Sequence, residues 1–294
     1  MNLLNLLTSP VLLPGDDTVA LRDPAAIWHK GELYLYYTKV VNLPEGARWT
    51  IEERRTADLK TFTPPRQLFP FDPALNYSSP GNIVRDGDDF VLCFQTYCTE
   101  NGEKYGNDNC RLSIARSRDL ETWSEPEWLA VKGDDVSRED AGRMIDPYLI
   151  RHDGLWWCFY KQNGISLSTS PDLRHWQYRG RVNAGENPCI LPVQDGYLMF
   201  HAPHNGIGVL KSADLTHWEP FCQDFFLGQE SWNWGKGRVT AAFVMDLRSV
   251  PQFGRYVMFF HGSGPEDEET MFTTNASIAI AWSDDLITWH WPGQ

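Results

Sequence analysis

Apolar residues along this chain alternate with polar ones in short runs, and the runs come in pairs around polar or glycine-containing turns. The first pair is Asp23–His29 with Leu33–Thr38, and the second is Gly81–Arg85 with Phe90–Gln95. Asp146–Arg151 with Leu155–Lys161 and Asn187–Val193 with Tyr197–His201 follow. Val239–Met245 and Arg255–His261 form the fifth pair, across a longer turn through Pro251 and Gly254. A period of two around such turns predicts β-hairpins. Behind each hairpin comes one more apolar run, such as Gly206–Leu210 or Ser277–Trp282, and then a short motif. The motif is a small hydroxylated residue, any residue, Asp-Leu, two open positions and an aromatic. It occurs at Thr56–Phe62, Ser117–Trp123, Ser170–Trp176, Ser212–Trp218 and Ser283–Trp289. Its hydroxyl and carboxylate suit a turn that folds back on backbone N–H groups, while Leu and the aromatic anchor the next strand. Four antiparallel strands per unit, in five units, predict an all-β chain folded as a five-bladed β-propeller.

The motif aspartates, Asp58, Asp119, Asp172, Asp214 and Asp285, are 61, 53, 42 and 71 residues apart, which requires insertions between strands. Candidates are 40–48, 99–109, 132–142, 225–236 and 262–275, and insertions in repeat proteins gather on one face. No linker or low-complexity stretch divides the 294 residues, so residues 1–294 are expected to form one propeller domain. The segment Met1–Pro10 lacks a basic start and a small-residue cleavage site; it is expected to pack as an edge strand on the last unit. No apolar run reaches the length of a membrane span, and a net charge of -13 opposes nucleic acid or anionic membrane as a partner. The six cysteines have no metal-like spacing and read as buried thiols in a cytoplasmic protein, with a Cys98–Cys110 bridge as the alternative. Oligomeric state is not fixed by these features.

In an antiparallel hairpin the start of the first strand and the end of the second lie at one rim. The first-strand starts bring Arg22-Asp23-Pro24, Ser79-Pro80, Ile145-Asp146-Pro147, Glu186-Asn187-Pro188 and Arg238 to that rim. The second-strand ends bring Lys39, Gln95, Lys161, His201 and His261. An acid before proline is commonly a turn residue bonding its own backbone. Three acids in one register, with two units lacking one, point instead to acid/base chemistry, since crowded carboxylates have split pKa values. Trp232 and Trp234 are candidates for a platform stacking on a ligand ring, or for an insertion packing on itself. Glu230 is a reserve acid, and Arg238 is a candidate to hold ligand hydroxyls or a ligand carboxylate.

These three triplets, in their order and blade positions, resemble family 43 of the glycoside hydrolases over nearly the whole chain. The resemblance implies an inverting enzyme, exo-acting on a terminal arabinofuranose- or xylose-like unit of a carbohydrate substrate. It implies Asp23 as general base, Glu186 as general acid, and Asp146 as the residue that raises the acid's pKa and orients substrate. Inversion would then require Asp23 and Glu186 carboxyls about 6.5–9.5 Å apart. No cofactor is required; some members carry calcium in the channel, which would place a cation near His261. Family 32, with a retaining mechanism, is the alternative, although its Trp-Met-Asn-Asp-Pro-Asn signature is missing here. A propeller phosphorylase of family 130 would need only a single acid. A propeller that binds carbohydrate without cleaving it is the competing class.

Overall fold

In the computed structural model, which describes residues 2–294, the chain folds into five antiparallel sheets set as the blades of a propeller. Blade I comprises Val19–His29, Glu32–Leu43, Gly46–Thr56 and Arg66–Gln67. Blade II comprises Ser78–Asp86, Asp89–Gln95, Leu112–Ser117 and Glu127–Trp128. Blade III takes Ile145–His152, Leu155–Lys161, Ile165–Ser170 and Gln177–Val182, and blade IV takes Glu186–Val193, Gly196–Ala202, Gly208–Ser212 and Glu219–Pro220. Blade V is built from Arg238–Asp246, Tyr256–Ser263, Ala276–Ser283 and Trp289–His290. Strands follow sequence order outward within a blade, and the first strands of neighbouring blades pack on one another around the axis. No helix among the described residues is long and apolar enough to cross a membrane.

Ring closure joins the two ends of the chain. Val11–Leu13 pairs with Ala276–Ser283 of blade V, the strand that also carries Trp289–His290. The edge strand expected within the first ten residues is therefore displaced to the segment just after them. Leu4–Leu6 instead forms a short 3-10 turn, held by the Asn2 side chain, which accepts from Leu4 N–H and donates to Phe253 O.

The Asp-Leu motif makes the turn expected of it. In all five copies the Asp Oδ1 accepts backbone N–H groups two and three residues on, and the preceding hydroxyl accepts the Asp N–H. Each Leu sits in the left-handed region, at φ 62–67°, a conformation unusual for a branched side chain. Burial of all five side chains, with the hydrogen bonds around them, outweighs that local cost. Residues 40–48, read as an insertion loop, are instead an extension of the blade I hairpin, with Val40 opposite Trp49 and Leu43 opposite Gly46. All six cysteines are thiols, five of them buried.

A glycine on the inner strand of blade II lets blades II and III approach closely. A Cβ at Gly81 would lie 1.6 Å from the Pro147 carbonyl oxygen of blade III. Gly81→Ala must push two inner strands apart, and we expect a loss of about 1–3 kcal/mol, read as a lower urea midpoint at unchanged slope.

Candidate active site

Every inner strand breaks its register with the second strand at the same place. Asp23-Pro24 stand opposite Tyr37 alone, Asp146-Pro147 opposite Tyr160, Asn187-Pro188 opposite His201 and Ala241-Ala242 opposite Phe260; in blade II three residues, Ser79–Gly81, face Phe94. The first residue of each bulge has positive φ: Asp23 47°, Ser79 42°, Asp146 54°, Asn187 51° and Ala241 54°. Asp and Asn tolerate this region better than most residues, so part of the Asp-Pro signal is a structural requirement of the repeat. It also alters the expected register. Asp23 and Asp146 occupy the bulge, whereas Glu186 precedes it, at the position of Arg22 and Ile145. A bulge turns successive side chains toward one side, and both kinds of position line the same space.

That space is a cup of about 490 Å³ lined by Asp23, Asp146 and Glu186 together with Arg22, Gln95, Lys161 and Arg238. The bulges are pinned from the neighbouring blades. Asp23 N–H donates to His261 Nδ1 (3.1 Å), Ser79 N–H to Thr38 Oγ1 (2.7 Å) and Asp146 N–H to Gln95 Oε1 (2.6 Å). Asn187 N–H reaches Asp146 Oδ2 at 3.4 Å, tying the fourth blade to the third. Thr38 Oγ1 also lies 3.3 Å from Asp23 Oδ2, so one hydroxyl orients both a backbone and a carboxylate.

Charge alternates along the wall. Lys161 bonds Glu186, Arg238 bonds both Glu186 (2.8 Å) and Glu268 (2.9 Å), and Glu268 continues to Arg22. Burial pushes the Glu186 carboxyl up, but Lys161 and Arg238 outweigh it, and its pKa falls below the ordinary value. Asp146 behaves oppositely. Burial, then the negative field of Glu186, raises it to about 7 against the opposing pull of Lys161. The expectation that Glu186 starts protonated is thus reversed, because two cations hold it ionised while the proton settles on the more deeply buried Asp146. The Glu268 carboxyl is also buried, yet Arg22 and His261 keep it far below the ordinary range.

Five other candidates do not line the cup. His201 stands opposite a bulge, where the other blades place Tyr37, Phe94, Tyr160 and Phe260; the residue paired with Glu186 is Ala202. There it is buried, burial lowers its pKa, and its Nδ1 accepts Gly185 N–H (3.1 Å), fixing the backbone beside Glu186. His261 is wholly buried and supports the Asp23 backbone from behind. Its Nδ1 is thereby occupied, and its Nε2 faces Glu268 at 3.6 Å. Among the described residues no group of three His, Cys, Asp or Glu side chains is disposed around a metal position. Trp232 and Trp234 stack on each other at 4.8 Å and pack against Phe260, so they are the interior of their insertion rather than a platform. Glu230 is exposed in a 3-10 turn of that insertion and does not line the cup.

The aromatic wall comes from elsewhere: Trp49 on the third strand of blade I, Tyr97 just past the second strand of blade II, and Tyr105 and Phe272 in two insertions line the cup. Trp49 lies 4.8 Å from Tyr97 and 5.5 Å from Phe272, and Tyr105 meets Phe272 edge-on at 4.9 Å. Sequence reasoning missed this wall and Glu268. Tyr105, Phe272 and Glu268 sit in insertions where nothing repeats, and Trp49 and Tyr97 lie beyond the rim positions that the hairpins mark.

No family model matches the chain, and no curated protein matches it. Solved structures do. A glycosyl hydrolase from Bacteroides ovatus superposes with a TM-score of 0.70 at 14% identity, covering 95% of this chain and 92% of that one. A thermostable family-43 glycoside hydrolase gives 0.64 at 13% identity, with 94% of each chain covered. A third neighbour comes from family 130, described as mannoside phosphorylases that include glycoside hydrolases acting on β-1,2-mannosidic linkages in Candida mannan. Its TM-score is 0.62 at 14% identity, over 93% of this chain and 91% of that one. Likeness at such identity establishes the shared propeller fold and leaves the reaction to be argued from the cup.

Proposed function

We propose that this protein is a glycoside hydrolase that removes a terminal sugar with inversion of configuration. The observation that carries this reading is the meeting of Asp23, Asp146 and Glu186, from three blades, in one cup with an aromatic wall. Asp23 acts as general base: Thr38 orients its carboxylate, which can take a proton from the attacking water. The proton for the leaving oxygen comes from the Asp146–Glu186 pair, which holds one proton near neutral pH on the Asp146 side. Sugar hydroxyls that take over Lys161 and Arg238 would release Glu186 to receive that proton and deliver it. The insertions around the rim close the cup and favour exo action. The neighbouring family-43 fold makes a pentose, arabinofuranose- or xylose-like, the first sugar to try.

The double neutralisation of Glu186 is the one feature that favours a propeller binding carbohydrate without cleaving it. A panel of aryl furanosides and pyranosides decides between them. Hydrolysis should be measurable for wild type and lost in Asp23→Ala, with the first anomer seen by NMR opposite in configuration to the substrate. Wild type no faster than Asp23→Ala across the whole panel would sink the hydrolase reading.

A further inference from the structure

Three of the four cations that line the cup are committed to carboxylates: Lys161 to Glu186, Arg238 to Glu186 and Glu268, and Arg22 to Glu268. Arg143 is the fourth. Among the described residues it has no carboxylate within ion-pair distance, and its one side-chain hydrogen bond runs from Nε to Gly106 O (2.8 Å). That bond fixes the plane of the guanidinium and leaves both Nη groups to a ligand, in a cavity it shares with Asp146. The residue next to its anchor is Tyr105, which is 43% exposed, lines the cup, carries Lys104 Nζ 5.4 Å from its ring centroid and is braced edge-on by Phe272.

The loop that joins ring and cation is built to hold its shape. A Cβ at Gly106 would lie 2.5 Å from Cys110 Sγ and 2.9 Å from the Tyr97 ring, so the backbone there is seated against the wall. Buried Arg111 donates to the carbonyls of Asp108, Cys110, Arg138, Glu139 and Gly142, which binds this insertion to the 132–142 insertion leading into Arg143. An uncommitted guanidinium fork held beside an exposed aromatic face matches a ligand with a ring and a carboxylate on it.

We propose that the cup recognises an acidic sugar: the glycan it acts on carries a hexuronate unit, with its carboxylate on Arg143 Nη1 and Nη2 and its ring against Tyr105. This rests on the reading of the cup as a carbohydrate site, but not on hydrolysis, so binding tests it independently. The probes are free galacturonate and glucuronate, with galactose and glucose as their neutral counterparts, titrated calorimetrically into wild type, Arg143→Gln, Arg143→Lys and Tyr105→Ala. At least one uronate should bind wild type more tightly than its neutral counterpart. Arg143→Gln should weaken the uronate by about 10- to 100-fold, the range of a charge-assisted hydrogen-bond pair, and abolish the preference; Arg143→Lys should keep part of it. Tyr105→Ala should weaken the uronate while preserving its preference. Neutral sugars bound as well as uronates, uronate binding indifferent to Arg143, or no binding of either uronate would each overturn the proposal. Loosening of the loop alone would weaken acidic and neutral sugars together and leave the preference intact, which would also overturn it.

Discussion

Glu186→Gln should lower kcat on a poor leaving group by about a hundred- to ten-thousand-fold, the range spanned by general acid catalysis. It should cost far less on an activated nitrophenyl glycoside, whose leaving oxygen needs little protonation. The pH profile should move as well. In wild type the alkaline limb marks loss of the proton held by the Asp146–Glu186 pair, and with Asp146 raised to about 7 it should fall near neutrality. Glu186 contributes to that rise through its negative charge, so Glu186→Gln should shift the residual limb to lower pH. A limb that stays in place, or an equal loss on activated and poor leaving groups, would show that this pair does not supply the proton.

The same pair predicts an unusual dependence of stability on pH. Asp146 has a folded pKa above its unfolded value, so between about pH 4 and 7 the folded state holds a proton that the unfolded state has released. Its contribution therefore erodes as pH rises through that window, by an amount on the order of a few kcal/mol. Asp146→Asn, which cannot ionise, should be inactive and yet more stable than wild type above pH 7, as expected when a site is built at the cost of stability.

Much of the scaffold was legible because the five units constrain one another. Alternation and the Asp-Leu turns fix strand number, order and the rim on which the hairpins open, and the three acids follow from that rim. Side chains near the bulges were harder, since one extra residue changes which neighbour faces the cup. His201 read as a rim residue and lies in the aromatic layer, with Ala202 at the paired position. Glu186 read as equivalent to Asp23 and precedes the bulge instead. Protonation was not legible at all: it depends on Lys161 and Arg238 converging on Glu186 from two other blades and on the deeper burial of Asp146. Glu268, the counter-charge behind Arg22 and Arg238, stands in an insertion with no repeat to place it.

Arg238→Ala should be strongly destabilising. Its guanidinium is mostly buried between Glu186 and Glu268, and removing it leaves two carboxylates short of a partner. Breaking a buried ion pair from one side costs about 3–5 kcal/mol, and Lys161 and Arg22 remain to limit the damage. The pH dependence identifies the cause. In wild type both glutamates have folded pKa values below their unfolded ones, so they stabilise the fold above the unfolded pKa and lose that contribution as pH falls through the folded value. Without Arg238 both values rise, and the folded variant takes up protons that wild type refuses. The gap between variant and wild type in urea unfolding should be widest near pH 8 and narrow toward pH 5. Arg238→Lys, which keeps the charge but loses the fork, should recover part of the stability at pH 8 and show a shallower trend. A gap that is small, or that does not change with pH, would mean that packing rather than charge is what Arg238 supplies.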